Sequence, residues 1–114
     1  MENVLHSDLK RRGFDVDVGV VEYNCVDVYG KKIRKYLEVD FVVNRGNQRY
    51  YIQSALTVAD PEKMEQETES LRRIPDSFKK LVVVRDSINP WRDENGILFI
   101  GVEQFLLDES AINM

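Results

Sequence analysis

The spacing of apolar residues changes from helical to strand-like early in the chain. Residues 3–12 place apolar side chains at helical spacing, and Gly13 follows as a stop signal, which predicts a first helix. Valines then recur at alternate positions across residues 14–28, which predicts a strand. The alternation changes phase at Val20 and Val21, so we expect a bulge or bend there.

The next two segments are typical of a β-hairpin. After a turn at residues 29–32, polar and apolar side chains alternate, and the pattern predicts one face made of Leu37, Val39, Phe41 and Val43. A second turn at residues 46–47 leads into a strand over residues 49–57. In a hairpin closed at this turn, residues whose numbers sum to 93 face each other, which places Asp40 beside Gln53.

The second half of the chain alternates helix and strand signals. Asp60 is a favourable N-cap and Pro61 a favourable first helical residue, so the sequence predicts a helix that runs to Ile74. The remaining predictions are a strand buried on both faces, a polar loop, a last strand and a short closing helix, at residues 81–84, 90–95, 97–100 and 102–107. Such an alternation is typical of a sheet covered by helices.

Together these elements predict an α/β (α+β) fold with a mixed central sheet and flanking helices, in the order α-β-β-β-α-β-β-α. The chain has 114 residues and a mass of 13.3 kDa, which fits a single domain over residues 1–114. Hydrophobic residues make up 43% and charged residues 32%, the balance of a soluble globular protein. The longest apolar run is too short for a bilayer and no leader opens the chain, so we expect a cytoplasmic protein without membrane contact.

Counts of particular residues exclude several kinds of site. One cysteine, Cys25, cannot form an internal disulfide, and one histidine, His6, cannot complete a conventional zinc site. The phosphate-binding pattern G-x-x-x-x-G-K-[ST] is absent, so this chain does not cradle a nucleotide in that way. Redox cross-links, structural zinc and ATP hydrolysis by this chain are therefore not expected.

Charge is distributed unevenly along the chain. Sixteen basic and twenty acidic residues give a net charge of −4, which argues against a surface that grips nucleic acid on every side. Residues 30–53 are nevertheless basic, and the candidates for nucleic-acid contact are Lys31, Lys32, Arg34, Lys35, Arg45 and Arg49. The alternative is that these side chains are simply exposed to water at the tips of two hairpins and bind nothing.

Short sequence motifs resemble a nuclease family. Asp40 lies in the strand Glu38-Val39-Asp40-Phe41-Val42-Val43, and after a short hairpin comes Tyr51-Ile52-Gln53-Ser54-Ala55. These segments and the opening helix resemble the PD-(D/E)xK nuclease core, which implies a restriction-endonuclease-like fold. More narrowly, the chain is similar to the uncharacterised C-terminal domain of prokaryotic AAA-type ATPases, through residues 50–53, 60–61 and 91–97. That resemblance implies a parent ATPase region upstream, which would hold any ATP hydrolysis.

The nuclease resemblance implies a magnesium or manganese site. It also implies that some of the residues this site needs have been replaced. In active members a helix glutamate, a strand aspartate and a glutamate two residues before a lysine bind the metal and activate water. Glu2 and Asp40 match the first two positions, whereas Gln53 and Ala55 occupy the places of the second glutamate and the lysine. A metal held by Glu2, Asp40 and Gln53 would lack one carboxylate charge, and no ammonium would stabilise the transition state. We therefore expect little or no cleavage.

Three functions stay open at this point. The leading hypothesis is a degenerate nuclease-like accessory domain that binds nucleic acid or a protein partner without cleavage. The enzyme alternative is a Mg²⁺- or Mn²⁺-dependent nuclease in which Lys10 or Lys35 has taken over the role of the missing lysine. The third alternative is a protein-interaction or oligomerisation module.

Several other side chains carry weaker expectations. The sequence favours a solvated carboxylate for Asp8 and a surface or packing role for His6, rather than a place beside a metal. Tyr50, Tyr51 and Trp91 offer flat rings for base stacking, although packing in the core or at the sheet edge is the default for such residues.

Overall fold

The computed structural model describes residues 1–57 and 59–113, and six strands and three α-helices account for most of them. In chain order the elements are α1 (Glu2–Arg11), β1 (Asp15–Val26), β2 (Lys32–Arg45), β3 (Gln48–Ala55), α2 (Pro61–Arg72), β4 (Lys79–Val84), β5 (Trp91–Arg92), β6 (Leu98–Gly101) and α3 (Val102–Leu107), followed by a short 3-10 helix (Ala111–Asn113). The predicted α+β class with a mixed sheet is confirmed, and the order α-β-β-β-α-β-β-β-α adds one strand to the prediction.

The strands of the described chain form one sheet in the order β1-β2-β3-β4-β6-β5. β1, β2 and β3 pair antiparallel, whereas β3, β4 and β6 pair parallel. The parallel connection from β3 to β4 holds α2, because parallel neighbours need a crossover rather than a tight turn. The carboxyl ends of β3, β4 and β6 therefore meet at one end of the sheet.

The added strand is β5, at an edge of the sheet, where the sequence predicted a polar loop over residues 90–95. Trp91 pairs with Phe99, Arg92 pairs with Leu98, and the ring of Trp91 stacks on that of Phe99 with the centroids 4.2 Å apart. A strand of two residues has no alternation of its own, so periodicity could not reveal it.

Apolar side chains form a core on each face of the sheet. On one face, α1 and α3 supply residues such as Leu5 and Phe105, which belong to the same cluster as Leu81 of β4. On the other face, α2 supplies Leu71, which belongs to the same cluster as Val82 of β4. The whole apolar run of β4 is buried, which confirms the predicted strand covered on both faces.

The three helices begin and end close to the predicted residues. The side chain of Asp60 caps α2 by accepting a hydrogen bond of 3.2 Å from the backbone N–H of Lys63, and Pro61 is the first helical residue. α2 ends at Arg72, two residues before the predicted end at Ile74. No helix among the described residues is long and apolar enough to cross a membrane.

A bulge interrupts the pairing of β1 with β2. Asp17 pairs with Val42 and Gly19 pairs with Val39, so two steps along β1 oppose three steps along β2. β2 therefore contains the bulge, and its residues 40 and 41 lie opposite a single residue of β1. A bulge of this kind bends the strand and strengthens its twist, and here it falls at the strand aspartate of the candidate site.

The bulge reverses which way the side chains of β2 point. Val39 belongs to the core under α2, whereas Phe41 and Val43 belong to the core under α1. The prediction of a single face is therefore wrong for the set Leu37, Val39, Phe41 and Val43. The expected position of the irregularity, at Val20 and Val21, is also wrong by a few residues.

Gly19 is the sequence feature that allows the bulge. A Cβ atom added to Gly19 would lie 2.5 Å from Cγ2 of Val42, closer than real side-chain atoms approach. A residue with a side chain would have to displace either Val42 or the strand itself. Glycine within a run of valines was thus the signal for the irregularity, because isolated glycines in strands mark bulges and close approaches.

Beyond the bulge, β1 and β2 leave the rest of the sheet. The β2–β3 pairs run from Arg45 and Gln48 to Phe41 and Ile52, as the predicted hairpin register requires. The β1–β2 pairs continue much further, and in the described chain residues 19–26 and 32–39 pair only with each other. We call residues 19–39, including the connecting turn, the ribbon.

Candidate functional site

Asp40 lies at the point where β2 separates from β3. The backbone pairing stops at Phe41 and Ile52, one step before the predicted pair of Asp40 and Gln53. The side chain of Gln53 bridges the gap instead, because its Oε1 atom accepts a hydrogen bond of 2.7 Å from the backbone N–H of Asp40. The two residues are therefore neighbours, through the side chain of one and the backbone of the other.

The amide of Gln53 is built into the fold. The residue is only 3% exposed. Its Nε2 group donates to Ser70 Oγ at 2.7 Å and lies 3.2 Å from the carbonyl oxygen of Glu67 and 3.3 Å from that of Glu38. One side chain thus joins β2, β3 and α2. A carboxylate would have no N–H group to offer these carbonyl oxygens, so the position is suited to an amide.

Ser54 connects the two acidic residues that the sequence singled out. Its hydroxyl oxygen lies 3.1 Å from Oδ2 of Asp40 and 3.2 Å from Oε1 of Glu2, so its single O–H group can donate to either carboxylate. Its backbone N–H also donates to Asp40 Oδ2, at 2.9 Å. Sequence reasoning did not select Ser54, although neighbouring strand residues face opposite sides and the residue after Gln53 must face α1.

A cleft of about 430 Å³ opens beside Ser54, between the start of α1, the end of β3 and the start of α2. Glu2, Ser54 and Ala55 line one side of it, and Lys63 and Glu67 of α2 line the other. The methyl group of Ala55 thus lies in the cleft at the place where the nuclease resemblance implies a lysine. The cleft collects charged groups from three separate segments of the chain.

Lys63 is the lysine that reaches this cleft. Lys10 and Lys35, which the nuclease alternative invoked, do not line the cleft in the part of the chain that the structure describes. Lys10 lies in the last turn of α1, whereas Glu2 lies in the first turn, and Lys35 pairs with Tyr23 in the ribbon. The spacing of apolar residues in the sequence could not identify Lys63, because this side chain reaches the cleft only through the packing of α2 against β3.

The cleft is acidic, and its charges affect each other. Burial raises the pKa of Glu67, and the nearby carboxylates of Asp40 and Glu2 raise it further. Because the pKa in the folded state lies above its usual value, ionisation of Glu67 lowers stability as the pH rises through that folded-state pKa. A proton or a cation near Glu67 would relieve this repulsion.

The magnesium or manganese site proposed for Glu2, Asp40 and Gln53 stays a prediction. Within residues 1–57 and 59–113, no group of three His, Cys, Asp or Glu side chains lies close enough to hold a metal ion. Oε1 of Gln53 and Oδ2 of Asp40 each accept a backbone N–H. The oxygen that the amide would offer to a metal is therefore already used by the fold.

The six basic residues predicted to contact nucleic acid fall into two groups. Four belong to the ribbon, whereas Arg45 ends β2 and Arg49 lies beside it in β3, roughly 30–40 Å away by the rise of about 3.3 Å per strand residue. The guanidinium of Arg45 lies over the ring of Phe14 at 4.5 Å, and Arg49 Nε donates to Asn44 Oδ1 at 2.8 Å. The structure therefore does not bring together the full set of Lys31, Lys32, Arg34, Lys35, Arg45 and Arg49.

The weaker expectations have mixed outcomes. Tyr50 and Tyr51 are buried, at 2% and 7% exposure, so packing is confirmed and their rings are not available to bases. Asp8 was expected to be solvated, and that is wrong. Its side chain is 10% exposed and forms ion pairs with Arg11 and Arg12, both at 2.8 Å.

The comparisons with known proteins give one distant relative and no family. No protein-family model matches the chain. It is similar to an uncharacterised protein of Haemophilus influenzae, with 30% identity over 83 residues. The match covers 73% of this chain and 17% of the relative, so the chain spans less than a fifth of that protein's length.

Proposed function

We propose that this chain is a degenerate nuclease-like accessory domain of an AAA-type ATPase, and that it binds nucleic acid without cleaving it. The mixed sheet with α1 and α2 on opposite faces is compatible with the restriction-endonuclease-like fold that the sequence motifs resemble. The match to a short part of a longer protein supports an accessory role. Charge favours nucleic acid over protein as the partner, since four basic side chains lie within residues 31–35 of the ribbon.

The observation that carries the proposal is the hydrogen bonding of Gln53. A nuclease of the resembled type needs a carboxylate at this position to hold the metal. Here the side chain is buried and bonds the backbone N–H of Asp40 and the carbonyl oxygen of Glu38 in β2, and Ser70 and the carbonyl oxygen of Glu67 in α2. The fold has come to depend on an amide at Gln53, and Ala55 supplies no ammonium to stabilise charge during cleavage.

Binding and cleavage can be tested on the same samples. We expect fluorescence anisotropy to show binding of a labelled oligonucleotide at low salt in EDTA, because no metal is needed for contact, and added Mg²⁺ should only weaken this binding by competing for the phosphates. Electrophoresis of the recovered oligonucleotide should show that it is still full-length and uncut. Shortened products with the wild-type chain but not with Asp40→Ala would contradict the proposal and establish a nuclease. A lack of binding even at low salt would instead support a protein-interaction module.

One observation favours the nuclease alternative. Lys63 lines the same cleft as Glu2 and Glu67, so an ammonium is near carboxylates although Ala55 has replaced the expected lysine. A nuclease built on these groups would lose its activity in both Lys63→Ala and Asp40→Ala. The oligonucleotide experiment distinguishes this alternative from the proposed function, which predicts intact oligonucleotide with every variant.

A further inference from the structure

The charges of this protein are divided between an acidic body and a basic projection. Residues 24–36, the distal half of the ribbon, carry four basic side chains and one acidic side chain, Asp27. Of the sixteen basic and twenty acidic residues in the chain, this leaves 12 basic and 19 acidic residues elsewhere. A polyanion that approaches the molecule is therefore attracted to the end of the ribbon and repelled by the body.

Most of these basic side chains are exposed and able to contact a ligand. Lys31, Lys32 and Lys35 are exposed, and no carboxylate of the described residues forms an ion pair with them. The carboxylate of Asp27 instead accepts hydrogen bonds from two backbone N–H groups of the turn, those of Tyr29 and Lys31. The negative charge at the tip thus holds the turn in shape and leaves the lysines unpaired.

Strand geometry places two of the cations in one row. Lys32, Arg34 and Tyr36 alternate along β2 and so share one face of the ribbon, about 7 Å apart. Arg34 also forms an exposed ion pair with Glu22 across the ribbon, at 2.7 Å. A two-stranded β-ribbon is narrow enough to enter the major groove of a duplex, and its basic side chains can then reach the phosphate groups along the edges of that groove.

The cleft does not offer a comparable surface. Glu2, Asp60 and Glu67 line it with carboxylates, and burial together with the nearby carboxylates of Asp40 and Glu2 raises the pKa of Glu67. A phosphate would add to that repulsion, and Lys63 supplies a single positive charge against it. Arg45 lies at the other end of the sheet and is held over Phe14.

We infer that the distal half of the ribbon contacts the phosphate backbone of a nucleic-acid duplex, through Lys31, Lys32 and Arg34. This inference rests on the proposed function and adds the surface that binds and the form of nucleic acid that it takes. The cleft then stays outside the contact, so we expect the binding to need no metal.

Salt-dependent binding tests the inference. The probe is a labelled 20-base-pair DNA duplex, and the variant Lys31→Gln/Lys32→Gln removes two charges while keeping side-chain length. We expect the slope of log affinity against log salt to become shallower by about 1.8, and the affinity at about 50 mM salt to fall roughly tenfold or more. The control Lys10→Gln/Arg85→Gln removes the same charge from exposed positions outside the ribbon and should bind like the wild type.

Each other outcome overturns the inference in a recognisable way. If the wild type and the ribbon variant bind equally, the ribbon is not the contact surface, although the proposed function stands. If both double variants lose affinity equally, binding follows total charge rather than the ribbon. If the wild type does not bind duplex at low salt, the proposed function fails as well. If poly-L-glutamate competes as well as unlabelled duplex of equal charge, the ribbon recognises an acidic protein.

Melting curves of both double variants should match that of the wild type, which shows that the substitutions leave the fold intact.

Discussion

Gln53→Glu will lower the free energy of unfolding by about 3 kcal/mol, because an amide that donates toward Ser70 and the carbonyl oxygens of Glu38 and Glu67 is replaced by a buried anion without a donor. Buried groups left without a hydrogen bond cost roughly 1–3 kcal/mol each. For a chain of this size, the melting temperature should fall by more than about 10 °C. Urea unfolding followed by circular dichroism measures the change.

The effect should depend on pH and on burial. Burial raises the pKa of a carboxyl group, so the new side chain is neutral at low pH and can donate one hydrogen bond. The stability deficit of Gln53→Glu therefore grows as the pH rises through the folded-state pKa. Gln48→Glu is the matched control, because Gln48 is exposed and its oxygen accepts from Tyr50, as a carboxylate can. If both variants lose the same stability, the buried amide network is not important.

Arg12→Leu will destabilise the protein by about 3 kcal/mol or more. The side chain of Arg12 is 3% exposed, pairs with Asp8 and donates to the carbonyl oxygens of Phe105 and Leu106 at the end of α3. Its removal leaves a nearly buried carboxylate and two helix-end carbonyl groups with fewer partners, which is the costly way to break a buried ion pair. The midpoint of urea unfolding should fall accordingly.

Arg11→Leu is the control for this prediction. Arg11 pairs with the same carboxylate of Asp8 at the same distance of 2.8 Å, but its side chain is 61% exposed. Solvent screens such a pair, so its loss should shift the midpoint of urea unfolding much less than the loss of Arg12 does. Equal effects of the two substitutions would mean that the ion pairs with Asp8 account for the stability, rather than the hydrogen bonds from Arg12 to the end of α3.

The hairpin that carries the candidate site could be predicted because its register follows from local chemistry. The turn at residues 46–47 and the alternation on either side fix which residues face each other, and the pairs from Arg45–Gln48 to Phe41–Ile52 agree with the prediction. The cap at Asp60 was predictable for the same reason, since it depends on neighbouring residues alone.

The bulge at Asp40 could not be located from the alternation of β2. Residues 37–41 alternate in the sequence and Phe41 to Val43 are all apolar, so no break in the pattern falls at Asp40, and the reversal between Val39 and Phe41 arises from the pairing with β1. The relevant signal lay in the other strand, at Gly19. Consequently the sequence placed Asp40 beside Gln53 but not its carboxylate beside Ser54, which depends on the bulge and on α1.

The other side of the cleft depends on tertiary packing. Glu67 and Lys63 lie on α2, far along the chain from Glu2, and reach the cleft through the contacts of α2 with β3. In the sequence they belong to a run of charged residues typical of an exposed helix. The predicted basic residues are separated for a related reason, because Lys35 and Arg45 lie ten residues apart along the one extended strand β2.

The claim that the amide of Gln53 belongs to the fold is tested most directly by the hydrogen exchange of its two side-chain protons, measured by NMR on ¹⁵N-labelled protein. Since each 1.4 kcal/mol of opening free energy slows exchange tenfold, these protons should exchange roughly a hundredfold or more slowly than those of the exposed Gln48. The signals should also stay in place when Mg²⁺ is added. Exchange as fast as that of Gln48, or a shift with Mg²⁺, would show that the amide is free to act as a ligand and would contradict the structural role assigned to it.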